Sequence, residues 1–292
     1  MDRRTYLSLT ATATLAGAAG CQDALSGSET EDDDDDDDDD TSTPGGADGS
    51  VAAWRRWIPA ELVVGTGAEV LMLDTNRAKS ELPSQTYEQF QITQIASALG
   101  VEESNIDRLT GVQRGDDDND VVLTGSYTPS EILETLEVSD SEVSTYQGYQ
   151  IIEGQQFAIG TDAILLSQNY ETFIDTHAGA RPYLGQDDAD WNQLLTSIQD
   201  ATLAVATPGT VGDDSSIQAD KSGVTVDAAE GSGARIAIYV HFGSESDAEA
   251  AMETAREEFV DNATGNSDVD IQRFERQGSR IIVEGTTPNF DF

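Results

Sequence analysis

Cysteine occurs once in these 292 residues, and lysine and histidine only twice each. A single cysteine, Cys21, rules out a disulfide within the chain and a Cys-rich metal cluster, so a folded body must hold through its apolar core. The two lysines, Lys79 and Lys221, join 13 arginines against 56 acidic residues. That balance argues against a nucleic-acid partner, because phosphate binding relies on clustered Lys and Arg that release counterions. Long apolar runs are scarce too. The uncharged stretch Ser8–Gly20 covers 13 residues, whereas a membrane-crossing helix needs roughly 18 or more. No Gly-x-Ser-x-Gly elbow occurs, which removes one familiar route to serine hydrolysis.

Acid is what the chain has in abundance. The formal charge is −41, and residues 51–292 carry 42 acidic against 13 basic groups, so the excess belongs to the body as well as to the N-terminal segment. In dilute buffer such a surface repels itself. At molar salt the Debye length shrinks to ~3 Å and the repulsion is screened. Short carboxylates keep a hydrated surface under those conditions, while long lysine stems would add apolar area.

The N-terminus has the grammar of an export signal: Arg3-Arg4 before Thr5-Tyr6-Leu7, a short Ala/Thr-rich middle, then Ala18-Ala19-Gly20-Cys21. The paired arginines resemble a twin-arginine (Tat) signal, which a receptor reads. The small residues before Cys21 resemble a lipobox, with the thiol as the atom that takes lipid. Residues 1–20 are therefore expected to be a signal peptide. Residues 21–53 are expected to be a lipidated cysteine followed by a disordered linker, because Asp32–Asp40 is nine consecutive like charges in a Ser/Gly/Thr setting.

From Trp54 the composition is globular. Strand signals at Glu69–Asp74, Val121–Tyr127, Ser144–Glu153, Gln156–Gly160 and Ala163–Gln168 mix with helix signals at Thr86–Leu99, Ser130–Leu136 and Tyr170–His177. After Pro182 the pattern restarts. Asp190 is placed to cap a helix over Trp191–Gln199. Strands follow at Ala201–Thr207, Gly223–Ala228 and Arg235–Phe242, then an acidic helix at Ser246–Asn262 and strands at Asp270–Arg276 and Arg280–Gly285. The expected fold is α+β: mainly antiparallel sheets with helices on one face, in two similar tandem units over 54–180 and 181–292.

Chemistry-bearing candidates are few. Gly65-Thr66-Gly67 opens like a dinucleotide fingerprint, but a strand follows where a helix is needed, so a turn is expected. Asp116–Asp120 has the alternate carboxylates of a calcium loop, but Val121 and Tyr127 stand where Gly and a bidentate Glu belong, so the reading is an acidic loop. His177 falls at a helix end, and His241 falls in a strand between Val240 and Phe242. Trp54-Arg55-Arg56-Trp57 is either a surface contact or, preferably, aromatics packed inward with the arginines paired to carboxylates. Asn262-Ala263-Thr264 fits the glycosylation sequon. No catalytic, cofactor or metal residue is assigned.

Signal, poly-aspartate spacer and acidic body together resemble haloarchaeal Tat-exported lipoproteins of uncharacterised function. The resemblance is specific over residues 3–21 and compositional beyond. It implies export in the folded state and a lipid on Cys21, the residue that carries over. It also implies a position on the extracellular side of the cell membrane. The expected role is a non-enzymatic module binding an envelope protein or small ligand; the alternatives are a transporter's solute-binding lipoprotein and, after that, an extracellular hydrolase.

Overall fold

Val70, Leu71, Met72 and Leu73 are all buried, although successive strand residues point to opposite faces. A strand apolar at every position needs cover on both sides, and that requirement organises the molecule. The computed structural model describes residues 51–115, 119–152, 154, 156–209, 216–229, 233–261 and 269–287. Its strands are β1 (Glu69–Asp74), β2 (Ile106–Gln113), β3 (Asn119–Gly125), β4 (Val143–Tyr146), β5 (Tyr149–Ile152), β6 (Phe157–Ile159), β7 (Ala163–Leu166), β8 (Leu203–Pro208), β9 (Lys221–Ala228), β10 (Ala234–His241), β11 (Asp270–Gln277) and β12 (Arg280–Thr287). The helices are α1 (Ala60–Val63), α2 (Thr75–Glu81), α3 (Ser84–Gln89), α4 (Ile92–Leu99), α5 (Pro129–Thr135), α6 (Tyr170–His177), α7 (Ala189–Ile198) and α8 (Glu245–Arg256).

All twelve strands join one antiparallel sheet, in the order β11-β12-β10-β9-β8-β1-β2-β3-β7-β6-β5-β4. The mixed α+β class is as expected; separate sheets with helices on one face are not what forms. At the seam, Val70–Leu73 of β1 pairs in register with Ala206–Leu203 of β8, so strands from both halves share one hydrogen-bonded layer. One face carries α2 to α5 and α8, whose Ala78, Tyr87, Ile95, Leu99, Ile132 and Ala248 pack with Leu71, Leu109, Leu123 and Val240. The opposite face carries α1, α6 and α7 and the turn Ala53–Trp57, whose Trp54, Trp57, Phe173 and Trp191 pack with Val70, Met72, Val122 and Leu165.

Local features differ from the sequence reading as well. The helix expected over Thr86–Leu99 is split, because Gln91 adopts φ 53° and separates α3 from α4. The first meander segment is also split, with a turn at Gln147-Gly148 separating β4 from β5. Among the described residues no helix is long and apolar enough to cross a membrane.

Candidate functional site

The two histidines lie on the same face of the sheet, the one covered by α1, α6 and α7. At one end, α6 presents His177 in its last turn, where the ring stacks on Trp57 with centroids 3.8 Å apart and planes 8° from parallel. The edge of Tyr149 meets Trp57 at 6.4 Å and 80°. Asp162 joins the group: Tyr149 donates to its Oδ1 at 2.8 Å, and His177 Nε2 stands 3.5 Å from its Oδ2. Burial lowers the His177 pKa against the pull of Asp162, and exposed Arg56 pushes in the same direction as burial. Burial, the hydrogen bond to Asp162 and its charge hold the Tyr149 phenol well above its usual range. Beside this group, Asp175 accepts from Tyr146 (2.8 Å), Gln147 (2.6 Å) and Arg181 (3.1 Å), which hold its carboxyl below the ordinary range.

At the other end of this face, Lys221, His241 and Arg280 stand side by side on β9, β10 and β12, each the in-register partner of the next. The helix α7 lies along them. Its Asp188 and Asp190 approach Lys221 Nζ at 3.5 and 3.7 Å, Trp191 places its ring centroid 5.8 Å from the same nitrogen, and Ser197 Oγ accepts from Arg280 Nη1 at 3.4 Å. Burial and the charges of Arg280 and Lys221 push His241 down to about 4, with Asp190 opposing. His241 Nε2 and Arg280 Nε are buried without a hydrogen-bond partner.

Among the described residues, the remaining candidates serve the fold. Trp54 and Trp57 are buried, which takes the indoles of the Trp-Arg-Arg-Trp cluster out of contact with a surface. Arg55 departs from the expected ion pairing. It is 2% exposed and donates to Asn192 Oδ1 at 2.6 Å and Thr196 Oγ1 at 3.4 Å, both on α7, and burial lowers its pKa. Asp120 is also buried, accepting from Arg114 and Ser167 at 2.5 Å each, so its carboxylate anchors β3 and is committed to protein donors. The calcium-like residues 116–118 lie outside the described residues, as do Arg3, Arg4, Cys21 and Asn262. Gly65 and Gly67 take φ 77° and 76° around Thr66, whose hydroxyl returns to Leu62 and Val63 carbonyls, forming the expected turn. The cap of α7 is Asp188 in place of Asp190; its side chain accepts from the backbone N–H groups of Asp190 and Trp191.

The sequence singled out both histidines but not their companions. Alternation along the strands could have placed Lys221, His241 and Arg280 on one face once the strand order was known. The pairing of Trp57 with His177 crosses 120 residues and leaves no local trace. No family model, curated protein or solved structure matches the chain.

Proposed function

We propose that the protein is an exported lipoprotein of a haloarchaeal type. Cys21 holds it at the extracellular side of the membrane, and it acts as a non-enzymatic binding module of the envelope. The observation carrying this reading is the succession Arg3-Arg4, Ala18-Ala19-Gly20-Cys21 and Asp32–Asp40 ahead of a body that begins at Trp54. A spacer of about 30 residues reaches at most ~100 Å, enough to stand the body clear of the lipid surface. The units 54–180 and 181–292 are read as tandem units that share the sheet. Asn262 is the glycosylation site of this exported form.

Binding is preferred over catalysis because burial lowers the basicity of both imidazoles, that of His241 to about 4, and His177 is clamped flat against an indole. A general base works best with a pKa near the operating pH. Binding within the envelope is preferred over two-lobed solute capture because hydrogen-bonded β1 and β8 occupy the place where such a binder has its cleft.

Cross-linking on intact cells at native salt, comparing wild type with Cys21→Ser, tests the reading. The expected result is wild-type protein in the membrane fraction cross-linked to a defined envelope component, with both lost in Cys21→Ser. Wild-type protein released freely into the medium would overturn the lipoprotein assignment. Membrane-bound protein that cross-links to nothing would overturn the binding role.

A further inference from the structure

Although the chain has 56 acidic residues, ion pairing among the described arginines is concentrated on the half-buried ones. Arg77, Arg108, Arg114, Arg181 and Arg273, all half-buried, each have a carboxylate within ion-pair distance. Among the described arginines that are buried or half-buried, Arg55 and Arg280 have none. Arg55 is sealed in the core by Asn192 and by Gly185, where a Cβ would lie 3.0 Å from its Nη2. Arg280 is different. Its Nη1 and Nη2 reach only Ser197 Oγ at 3.4 Å and Gln277 Oε1 at 3.3 Å. Both are neutral partners at long range, and Gln277 is exposed.

Arg280 is also not alone. In-register neighbours on adjacent strands stand about 5 Å apart, so the Arg280 and Lys221 backbones flank that of His241 at that spacing. Asp190 and Ser197 of α7 lie seven residues apart, two helical turns, so one side of the helix runs beside this row. Lys221 is already matched by Asp188 and Asp190. The uncompensated charge therefore sits at the Arg280 end, beside a 2%-exposed imidazole whose Nε2 has no partner.

We propose that Arg280 and His241, with Lys221 behind them, form a receptor for a carboxylate group that enters from the Gln277 side. The planar guanidinium edge carrying Nε matches a carboxylate in bidentate fashion, a geometry ammonium groups and halides do not share. A carboxylate there displaces the long contact from Nη2 to Gln277, while Nη1 keeps Ser197. The carboxylate meets the Arg280 Nε–H and, in the tautomer with its proton on Nε2, the His241 ring N–H. The receptor goes beyond the envelope-module reading and stands whether or not Cys21 carries lipid.

With two histidines in the chain, ring signals from 15N-histidine-labelled protein give a direct readout. The measurement uses the full chain at pH 7 in molar KCl, titrated with acetate, with sulfate as the inorganic oxyanion and extra chloride as the ionic-strength control. The expected result is a saturable shift of the His241 Nε2–H signals with acetate, no change at His177, and a rise in the unfolding midpoint. Arg280→Lys keeps the charge but removes the fork, and should bind acetate roughly tenfold more weakly. Equal, non-saturating responses to acetate, sulfate and chloride would mean screening alone and overturn the proposal. Saturable binding of sulfate but not acetate would overturn the carboxylate assignment. So would a His241 proton on Nδ1, an unresponsive His241, or wild-type acetate affinity in a folded Arg280→Lys.

Discussion

His241 shows how burial converts one side chain into a pH response. Its ordinary pKa is 6.5, and in the fold it lies at about 4. Between those values the unfolded chain binds a proton that the native ring refuses, so stability rises with pH across this window and falls as acid is added. The contribution is present above pH 6.5 and declines by about 3 kcal/mol down to pH 4. His241→Gln removes it, so its stability profile from denaturant unfolding at fixed high salt should be flatter than wild type over that range. That His241 lies in a strand could be read from its neighbours Val240 and Phe242. Its environment could not, because Lys221 and Arg280 come from strands 20 residues before and 39 after it. The same holds for Arg55. Carboxylates are the commonest partners in this composition, yet tertiary packing delivered an amide and a hydroxyl from α7.

Among the elements, legibility followed burial pattern and turn chemistry. The strand β1 and the helix α6 have the limits their residues announce, Glu69–Asp74 and Tyr170–His177. The strand β2 was missed because Asp107, Arg108 and Gly111 interrupt its apolar character, although it pairs on both sides within the sheet. The overlooked signal for architecture was continuity. Val70–Leu73, Val121–Leu123 and Ala163–Leu166 are apolar without alternation, which marks strands covered on both faces, whereas alternation marks cover on one. The break at Gln91 was invisible because glutamine is an ordinary helix former placed here in the left-handed region. Gln91→Gly relieves that conformation and should raise stability by about 1 kcal/mol in chemical denaturation. Gly160→Ala should do the opposite. A Cβ there would fall 2.3 Å from the Tyr149 ring, and a loss of about 2 kcal/mol is expected, with the Tyr149–Asp162 contact displaced.

At the scale of the whole molecule, the seam decides whether the halves behave as one body. Besides the β1–β8 ladder, Arg77 of α2 reaches Asp227 of β9 at 3.0 Å, and buried Thr202 donates its hydroxyl to Glu81 at 2.6 Å and its backbone N–H to Asp227 at 2.8 Å. Thr202→Val keeps the shape but removes the donor, and should cost about 1–2 kcal/mol. Because the sheet is continuous, that loss should lower hydrogen-exchange protection in β3 and β10 together; a drop confined to one half would show independent units. The place where the chain joins the body has a mechanical consequence. Just after the turn Ala53–Trp57, Pro59 bridges to Tyr183, Leu184 N–H donates to Ile58 at 2.8 Å, and Ala60 N–H donates to Pro182 at 3.1 Å. Those partners belong to the segment that leads from α6 into α7. A pull on the N-terminal segment, as drag on a tethered domain would exert, is thus delivered to the connection between the halves rather than to a sheet edge. Tension spreads toward α6 and α7 at once, and no outer strand is positioned to peel first.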